Sequence, residues 1–592
     1  MRVVFEPIGR KVECESGTIL EIARNSNVGI RSDCGGRGVC GKCRVLLIKG
    51  SLSEPSDAER KILSIEDLNQ NYRLACQAKI TGDSTIFIPK ESRLEERKVE
   101  ESTIDLEVEL EPALKKLTIH LTPPSLRDVR SDVERLKEKL GEFELSLDLL
   151  KKLPFLLREK NWVINAVLWK NKLIAVEEVD NTEILGLAVD IGSSKIVCHL
   201  VDLKSGKTIA KAYAENPQVA YGEDIVSRIS YAKNEHNLER LQRIVVETIN
   251  RLIEENCKKA KKSHENIYEA VIVGNSVMHH LFFGITPKFI GVAPFTPTVS
   301  ESISYKAKEV GLKINPEGFI TSLPLIAGFV GADASANLLL TKIYENDEVS
   351  MVIDIGTNTE VILGNKDKLF ACSTPSGPAF EGAHITFGMK AVSGAIEEVK
   401  IVNGEVFYKT IDEEKPKGIC GSGMIDLVAE LFKNGYINRN GKFIKEDDRI
   451  VKEGNPPIPK FVVAKADETD FFKAITVSEK DINEFLLAKA AIKAGWTILS
   501  AKFGIKPEEI RKIYLAGSFG KHIDIENART IGLIPANGEI IFAGDSAVSG
   551  AKLALKSIQQ RNEIEKVVRK VEYVELSVEK EFQRVYLRSI ML

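Results

Sequence analysis

No stretch of this 592-residue chain is apolar and uninterrupted for long enough to cross a bilayer, and its first residues begin a strand without the basic-then-apolar layout of a secretion signal. Both absences predict a cytoplasmic protein with no membrane partner. An excess of one charge is missing too: 82 lysines and arginines face 85 aspartates and glutamates, a net charge of −3, which argues against a nucleic-acid partner. Cysteine is scarce, nine residues in all. Cys14, Cys198, Cys257, Cys372 and Cys420 are scattered without a pairing pattern, so they read as buried small apolar residues, not as a disulfide framework. A Walker A loop is also lacking. Gly206-Lys207-Thr208 imitates its tail, but Val201 stands where the first glycine belongs, and the triplet reads as a hairpin tip. What remains, 43% apolar and 28% charged, is ordinary globular composition in a chain long enough for about four units.

The other four cysteines are organised. Ser32–Cys43 reads S-D-C-G-G-R-G-V-C-G-K-C, which places Cys34, Cys40 and Cys43 in a C-x5-C-x2-C run, and Cys76 follows in L-A-C-Q. Three thiols in one loop plus a distant fourth is the ligand count of a 2Fe-2S cluster, two thiolates to each iron. The glycines at 35, 36, 38 and 41 suit a loop that must adopt positive φ and aim N–H groups at sulfur. A zinc knob or a reduced-thiol core are the alternatives, but zinc sites usually arrive as two CxxC-type pairs and only Cys40 and Cys43 form one. The flanks predict a strand pair over Val3–Cys14, helices over Thr18–Asn25 and Ser56–Ser64, and strands over Arg44–Ile48 and Arg73–Ile80. Residues 1–90 thus resemble a plant- or vertebrate-type ferredoxin, the x5 spacing being nearer the vertebrate form.

A charged linker follows at 91–101, with almost nothing to bury. Residues 102–184 read as a small α+β domain: strands over Ile104–Leu110 and Leu117–Leu121, a helix capped by Ser125 and running to Leu140, a second helix over Leu145–Arg158, and a hairpin through the Asn171-Lys172 turn. It holds no cluster of His, Cys or paired carboxylates.

From Leu185 the chain repeats itself. L-A-V-D-I-G-S-S-K at 187–195 matches M-V-I-D-I-G-T-N-T at 351–359, setting Asp190 over Asp354 and Gly192 over Gly356. Later, V-I-V-G-N-S-V-M-H-H at 271–280 pairs with I-Y-L-A-G-S-F-G-K-H at 513–522. Two copies of one strand-turn plan predict a duplicated α/β domain whose facing turns share a cleft. Backbone N–H groups at Gly192 and Gly356, with hydroxyls of Ser193, Ser194, Thr357 and Thr359, suit phosphates, and the two aspartates suit a hydrated Mg2+. His279, His280, His384 and His522 match no metal spacing and read as cleft or core residues. The Gly-rich segment 375–396 is too polar for core and reads as a loop surface for a ligand or partner; 420–431 begins a helix after a glycine turn, and the later A-K-A-A-I segment has the period of a half-buried helix and reads as packing.

This pattern resembles the actin, Hsp70 and sugar-kinase superfamily over 185–592. The resemblance implies an ATP site with a first phosphate motif at Asp190–Lys195, a second at Asp354–Thr359, including Asn358, and an adenosine motif at Leu515–Gly520 that carries Gly517, Ser518 and Gly520. Asp333 falls near where that superfamily places its water-orienting residue; a helix N-cap is the competing reading.

The order of ferredoxin, linker, middle domain and duplicated ATPase, together with V-D-I-G-[ST], G-P-A-F-E-G-A, G-A-I-E and A-K-A-A-I, is similar to the reductive activators of corrinoid-dependent methyltransferase systems. The implied fold is multidomain α+β and α/β: a β-grasp ferredoxin, then RNase H-like halves at 185–592. Implied function is ATP-dependent return of a Co(II) corrinoid protein to Co(I), with Asp190, Asp333 and Asp354 as catalytic residues, a 2Fe-2S cluster, ATP and Mg2+ as cofactors, and a corrinoid protein as partner. An upstream electron donor is implied but unnamed, and a homodimer through the ATPase domain is compatible with the resemblance. Plant-type clusters lie near about −400 mV, and a cobalt couple lower by about 100 to 200 mV makes the electron cost about 2 to 5 kcal/mol, which ATP must supply. Ser376 and Ser393 in the 375–396 loop are expected to face the corrinoid, Ser393 preferred as the cobalt contact. A chaperone, a sugar kinase and a radical-dehydratase activator are the competing functions; the first would need a peptide-binding domain, the second leaves the cluster unexplained, and the third typically holds its cluster between two ATPase subunits.

Overall fold

Alternating apolar residues in the first ninety positions build a five-stranded sheet, ordered Arg10–Glu13, Arg2–Glu6, Ser84–Phe87, Arg44–Lys49, Tyr72–Leu74, in a computed structural model that describes the chain except residues 27, 33–35, 90, 91, 94–105, 223, 454–456, 471 and 518–522. Its inward side chains, Val3, Phe5, Val45 and Ile86, are fully buried and pack on the helix Ile19–Asn25 through Ile19 and Ala23. A reciprocal capping box, Thr18 with Glu21, starts that helix. The strand expected over Arg73–Ile80 is shorter, Tyr72–Leu74, because the chain turns at once: Gln77 and Ala78 both donate their N–H to the Leu74 carbonyl at 2.9 Å. That turn places Cys76. Buried Glu59 braces it, accepting from Arg73 Nε at 2.9 Å and from the Leu74 N–H at 3.0 Å.

In the middle segment the sheet order is Leu114–His120, Val163–Trp169, Lys172–Glu177, Glu144–Leu145, covered by helices Asp132–Leu140 and Leu147–Glu159. Two expectations fail. Residues 106–110 form no strand (104 and 105 lie outside the described residues), and the chain pairs only at Glu111, whose N–H and C=O bond to Lys556 and Ile558. Ser125 does not cap the helix; it closes a turn on Asp128, which Arg130 and Arg135 hold, and the helix waits for Ser131 with its capping box to Glu134.

The repeat seen in the sequence is a repeat in topology. In the first copy, Leu185–Ile191 pairs antiparallel with Lys195–Asp202 and parallel with Ile267–Val273, which pairs parallel with Phe319–Ser322. In the second, Ser350–Ile355 pairs antiparallel with Thr359–Gly364 and parallel with Lys512–Ala516, which pairs parallel with Glu539–Gly544. The triplet at 206–208 is a hairpin tip as expected, Gly206 taking φ +71°. The long helix Glu479–Phe503, read as half-buried, is covered on nearly all sides, because the helix Phe582–Ile590 packs on the face turned away from the sheet. Its fully buried Lys489 donates to the carbonyls of Ser589, Ile590 and Met591 at 2.6, 3.2 and 3.0 Å, so an amine sits on a helix C-terminus, while burial lowers its pKa to about 7. Among the described residues no helix is long and apolar enough to cross a membrane.

One buried ion pair fastens three parts together. Glu269, in the first copy, accepts from Arg561 of the second at 2.6 and 2.8 Å and from the Trp169 indole of the middle segment at 2.8 Å, and Trp169 stacks on Phe319 at 4.0 Å. Arg561→Met should cost about 3–5 kcal/mol, since it strands a buried carboxylate. The double variant Arg561→Met/Glu269→Gln should recover part of that loss in chemical denaturation; a single-variant cost below about 1 kcal/mol would mean the pair is only a surface-strength contact.

Candidate functional site

The two halves meet over a cavity of about 620 Å³ lined by Asp190, Gly192, Ser193, Ser194 and Lys195 from one copy and Asp354, Gly356, Thr357, Asn358 and Gly517 from the other. A larger hollow, about 890 Å³, lies among Lys342, Lys366 and Lys570 on an outer face, away from the glycine turns. The first turn is fixed from its own half. Asn216 donates to the Gly192 carbonyl at 2.8 Å, and Asn275 donates to Ser193 Oγ at 3.0 Å while its Oδ1 caps the helix Ser276–Phe283. In the second turn the Gly356 N–H bonds to the Asn358 carbonyl at 3.1 Å. Gly517, at φ +85°, lets its backbone lie against Asp354: a Cβ there would stand 3.1 Å from Asp354 Oδ1.

Asp190, Asp333 and Asp354 line this one cavity, as do Asp545 and Glu360, which the motifs did not single out. Burial raises the Asp190 carboxyl well above the ordinary range, and the like charges of Asp333, Asp354 and Asp545 add to it. Burial likewise raises Asp354, partly offset by Asn337, which donates to it at 2.7 Å. Glu360 is the cross-strand partner of Asp354 and is raised by the same burial and by Asp333 and Asp354. Among the described residues no three of these carboxylates close on one point, so a divalent cation in this cavity would be held through its own water as well as by carboxylate oxygen, and its charge would favour their ionisation. Lys195 stands 3.8 Å from Asp545.

Asp333 is not the helix cap. Gly331 holds the cap position of Ala332–Thr341, so Asp333 sits in the first turn, with Oδ1 accepting from the Ala334 N–H at 2.8 Å. Burial first, then the Asp354 charge, push its carboxyl up to about 7. The folded chain therefore holds this proton where the unfolded chain has released it, and Asp333 weakens the fold as pH rises from about 4 to about 7. In melts without nucleotide or metal, Asp333→Asn should gain stability over the unaltered chain from pH 5 to pH 7 and hold that gain above. A gain that does not change with pH would place the Asp333 proton outside this window.

Some expected residues stand elsewhere. Thr359 is fully buried and turned from the cavity, its hydroxyl 3.0 Å from that of Ser376, which is itself 4% exposed. His279 and His280 are core: His279 meets Ser322 Oγ at 3.1 Å, and His280 accepts from the Thr298 N–H at 2.9 Å. His384 is exposed, and Ser518, Gly520 and His522 lie outside the described residues.

In the ferredoxin segment Cys43 and Cys76 are buried side by side, and their mutual contact together with burial drives the Cys43 thiol far up, with Cys40 adding to the effect. Gln77 bridges Cys76 Sγ at 3.5 Å and the Gly36 carbonyl at 3.2 Å. Gly36, Gly38 and Gly41 all have positive φ, and a Cβ on Gly38 would strike Gln77 at 2.8 Å. Cys34 lies outside the described residues, and among those described no three His, Cys, Asp or Glu side chains close on one point. Crowded thiols within a positive-φ glycine loop fit a cluster that takes them as thiolates. This segment docks on the first ATPase copy: Arg24 lies 5.3 Å over the Tyr221 ring, and Arg240 bonds to Asn25.

Four family descriptions match the chain in order: a 2Fe-2S iron-sulfur cluster binding domain at 3–81, the RACo linker region at 103–183, the RACo middle region at 185–346, and the C-terminal ASKHA domain of RACo at 348–592. A corrinoid activation enzyme, RamQ of Eubacterium limosum, is 32% identical over 609 residues, covering 100% of this chain and 99% of its own. A Co(II) methylated amine-specific corrinoid protein reductase of Methanosarcina barkeri is 24% identical over 68% of this chain and 76% of its own. The solved structure of a reductive activator for a corrinoid, iron-sulfur protein superposes over 100% of this chain and 98% of its own, at 36% identity and a TM-score of 0.73. With this coverage and the cleft and thiol loop in place, the chain belongs to the family of reductive activators of corrinoid proteins.

Proposed function

We propose that this protein returns an inactive Co(II) corrinoid protein to Co(I), one electron at a time, with ATP driving the uphill step. The observation that carries the reading is the presence in one chain of a four-cysteine ferredoxin loop and a two-turn, carboxylate-lined cleft. A 2Fe-2S cluster held by Cys34, Cys40, Cys43 and Cys76 supplies low-potential one-electron transfer. The turns at Gly192 and Gly356 bring the Ser193, Ser194 and Thr357 hydroxyls to the phosphates of ATP, the Gly356 N–H being used within its own turn by the Asn358 carbonyl. Asp190 and Asp354 would hold Mg2+, which would neutralise charge developing on the phosphates, and Asp333 would orient a water for attack. The cleft draws its lining from both halves of one chain.

ATP moves the electron uphill only by binding differently to two arrangements that hold the partner differently. Of the two loop serines, Ser393 is the accessible one, and it approaches the cobalt of the docked corrinoid; changing an axial ligand shifts the potential of a macrocycle metal. The test mixes the chain, a reductant and a Co(II) corrinoid protein, and follows the Co(II) EPR signal. ATP should accelerate its loss, and Ser393→Ala should change both spectrum and rate. Equal loss with and without ATP, or ATP-dependent reduction of a dehydratase instead, defeats the reading; the cofactor is then serving another partner in the cytoplasm.

A further inference from the structure

One carboxylate joins the two phosphate turns. Glu381 accepts from Ser194 Oγ of the first turn at 3.1 and 3.3 Å and from Thr357 Oγ1 of the second at 3.0 Å, and it lines the cleft. These are hydroxyls that the nucleotide reading assigns to phosphate. Ser194 belongs to one half and Thr357 to the other, so a group that takes both must span the cleft.

Glu381 is also the last residue of a short helix, Gly377–Glu381, that leads into the 382–396 loop. That loop folds tightly on itself: a Cβ on Gly382 would stand 2.3 Å from the Met389 nitrogen, and one on Gly388 would stand 2.2 Å from the Gly382 carbonyl. Asp481 fastens the loop to the second half, accepting from the Thr386 N–H and hydroxyl at 2.7 and 2.9 Å. Among the described residues two charged contacts reach the first half, Glu381 to Ser194 and Lys390 to Glu215 at 3.2 Å.

We propose that Glu381 is the residue by which the cleft distinguishes ATP from ADP and reports the difference to the 382–396 loop. The inference rests on the nucleotide reading above. A terminal phosphate between the turns and the Glu381 carboxylate are both anionic acceptors for the Ser194 and Thr357 hydroxyls, and they exclude each other by charge and by donor count. When the phosphate takes those donors, the loop loses one of its two charged contacts to the first half. ADP, one phosphate shorter, leaves Glu381 in place. Linkage makes the effect reciprocal: a partner that draws the loop from Ser194 tightens ATP binding.

The experiment uses the full chain with its cluster and measures ADP and a non-hydrolysable ATP analogue by calorimetry, alongside hydrogen exchange of 382–396. In the unaltered chain the ATP analogue, and not ADP, should speed exchange in this segment. Glu381→Ala should bind the analogue about a hundredfold more tightly, the weight of two charge-assisted hydrogen bonds no longer broken, with ADP affinity unchanged and the loop exchanging fast without nucleotide. Glu381→Gln keeps the shape, loses the charge, and should fall between. Weaker analogue binding in both variants, or equal changes for ADP and analogue, overturns this inference alone. Failure of the unaltered chain to bind either nucleotide overturns the nucleotide reading, and this inference with it.

Discussion

Asp354→Ala should lower Mg2+-dependent ATP hydrolysis by about 100-fold or more, since a carboxylate that anchors the cation carries several kcal/mol of transition-state charge stabilisation. Asp190→Ala should do the same from the other half. Both variants should meanwhile melt at higher temperature than the unaltered chain when metal and nucleotide are withheld. The reason lies in the cleft itself, where Asp190, Asp333, Asp354, Asp545 and Glu360 share one buried space and burial raises the carboxyls of Asp190 and Asp354. Deleting one like charge relieves the rest, so activity falls as stability rises. This opposition separates a functional loss from simple misfolding, which would lower both. Unchanged turnover in both variants would sink the assignment of these aspartates.

Cys40→Ser should abolish visible charge-transfer absorption and electron delivery to the corrinoid while ATP hydrolysis persists. The two activities separate because the thiol loop and the cleft are built on different sheets: Cys43 and Cys76 flank the five-stranded sheet, and the phosphate turns end the first strands of the two six-stranded ones. Serine is a poorer ligand than a thiolate and leaves one iron a soft donor short. Iron and sulfide analysis checks the result directly. Stoichiometric zinc with no iron in the purified unaltered chain would refute the cluster.

Much of this was legible in sequence because glycine turns and strand periods are local. The paired D-I-G turns and the duplicated topology need only a few neighbouring residues, and both stand in the fold as read; of the four spaced cysteines, Cys40, Cys43 and Cys76 lie among the described residues. What was missed depends on long-range contact. Asp545 and Glu360 enter the cleft because the sheet brings them to Asp354, and only the A-G-D-S turn at 543–546, like the earlier A-G-S, offered a signal for Asp545. Glu381 stood inside the quoted G-P-A-F-E-G-A segment, but its partners lie 187 and 24 residues away. Thr359 was assigned to phosphate by its place in a turn, while strand alternation turns it to the opposite face from Glu360 and onto Ser376. Ser125 and Ser131 are both plausible caps by type; the ionic grip of Arg135 on Asp128 decides between them.

The Glu269–Arg561–Trp169 node sets a boundary on the electron carrier. Because the middle segment is clamped to both ATPase copies and Glu111 pairs with Lys556 and Ile558, Glu111 is a fixed point, and the 18 residue steps from Arg93 to Glu111 span at most about 65 Å by any path. The ferredoxin's attachment point at Arg93 therefore never moves farther than that from the rest of the chain. A module so confined meets its acceptor at an effective concentration of about millimolar, far above what a free carrier reaches in dilute solution. Delivery of the electron to a docked corrinoid is then a first-order event within one complex, and its rate is indifferent to how many copies of the protein surround it.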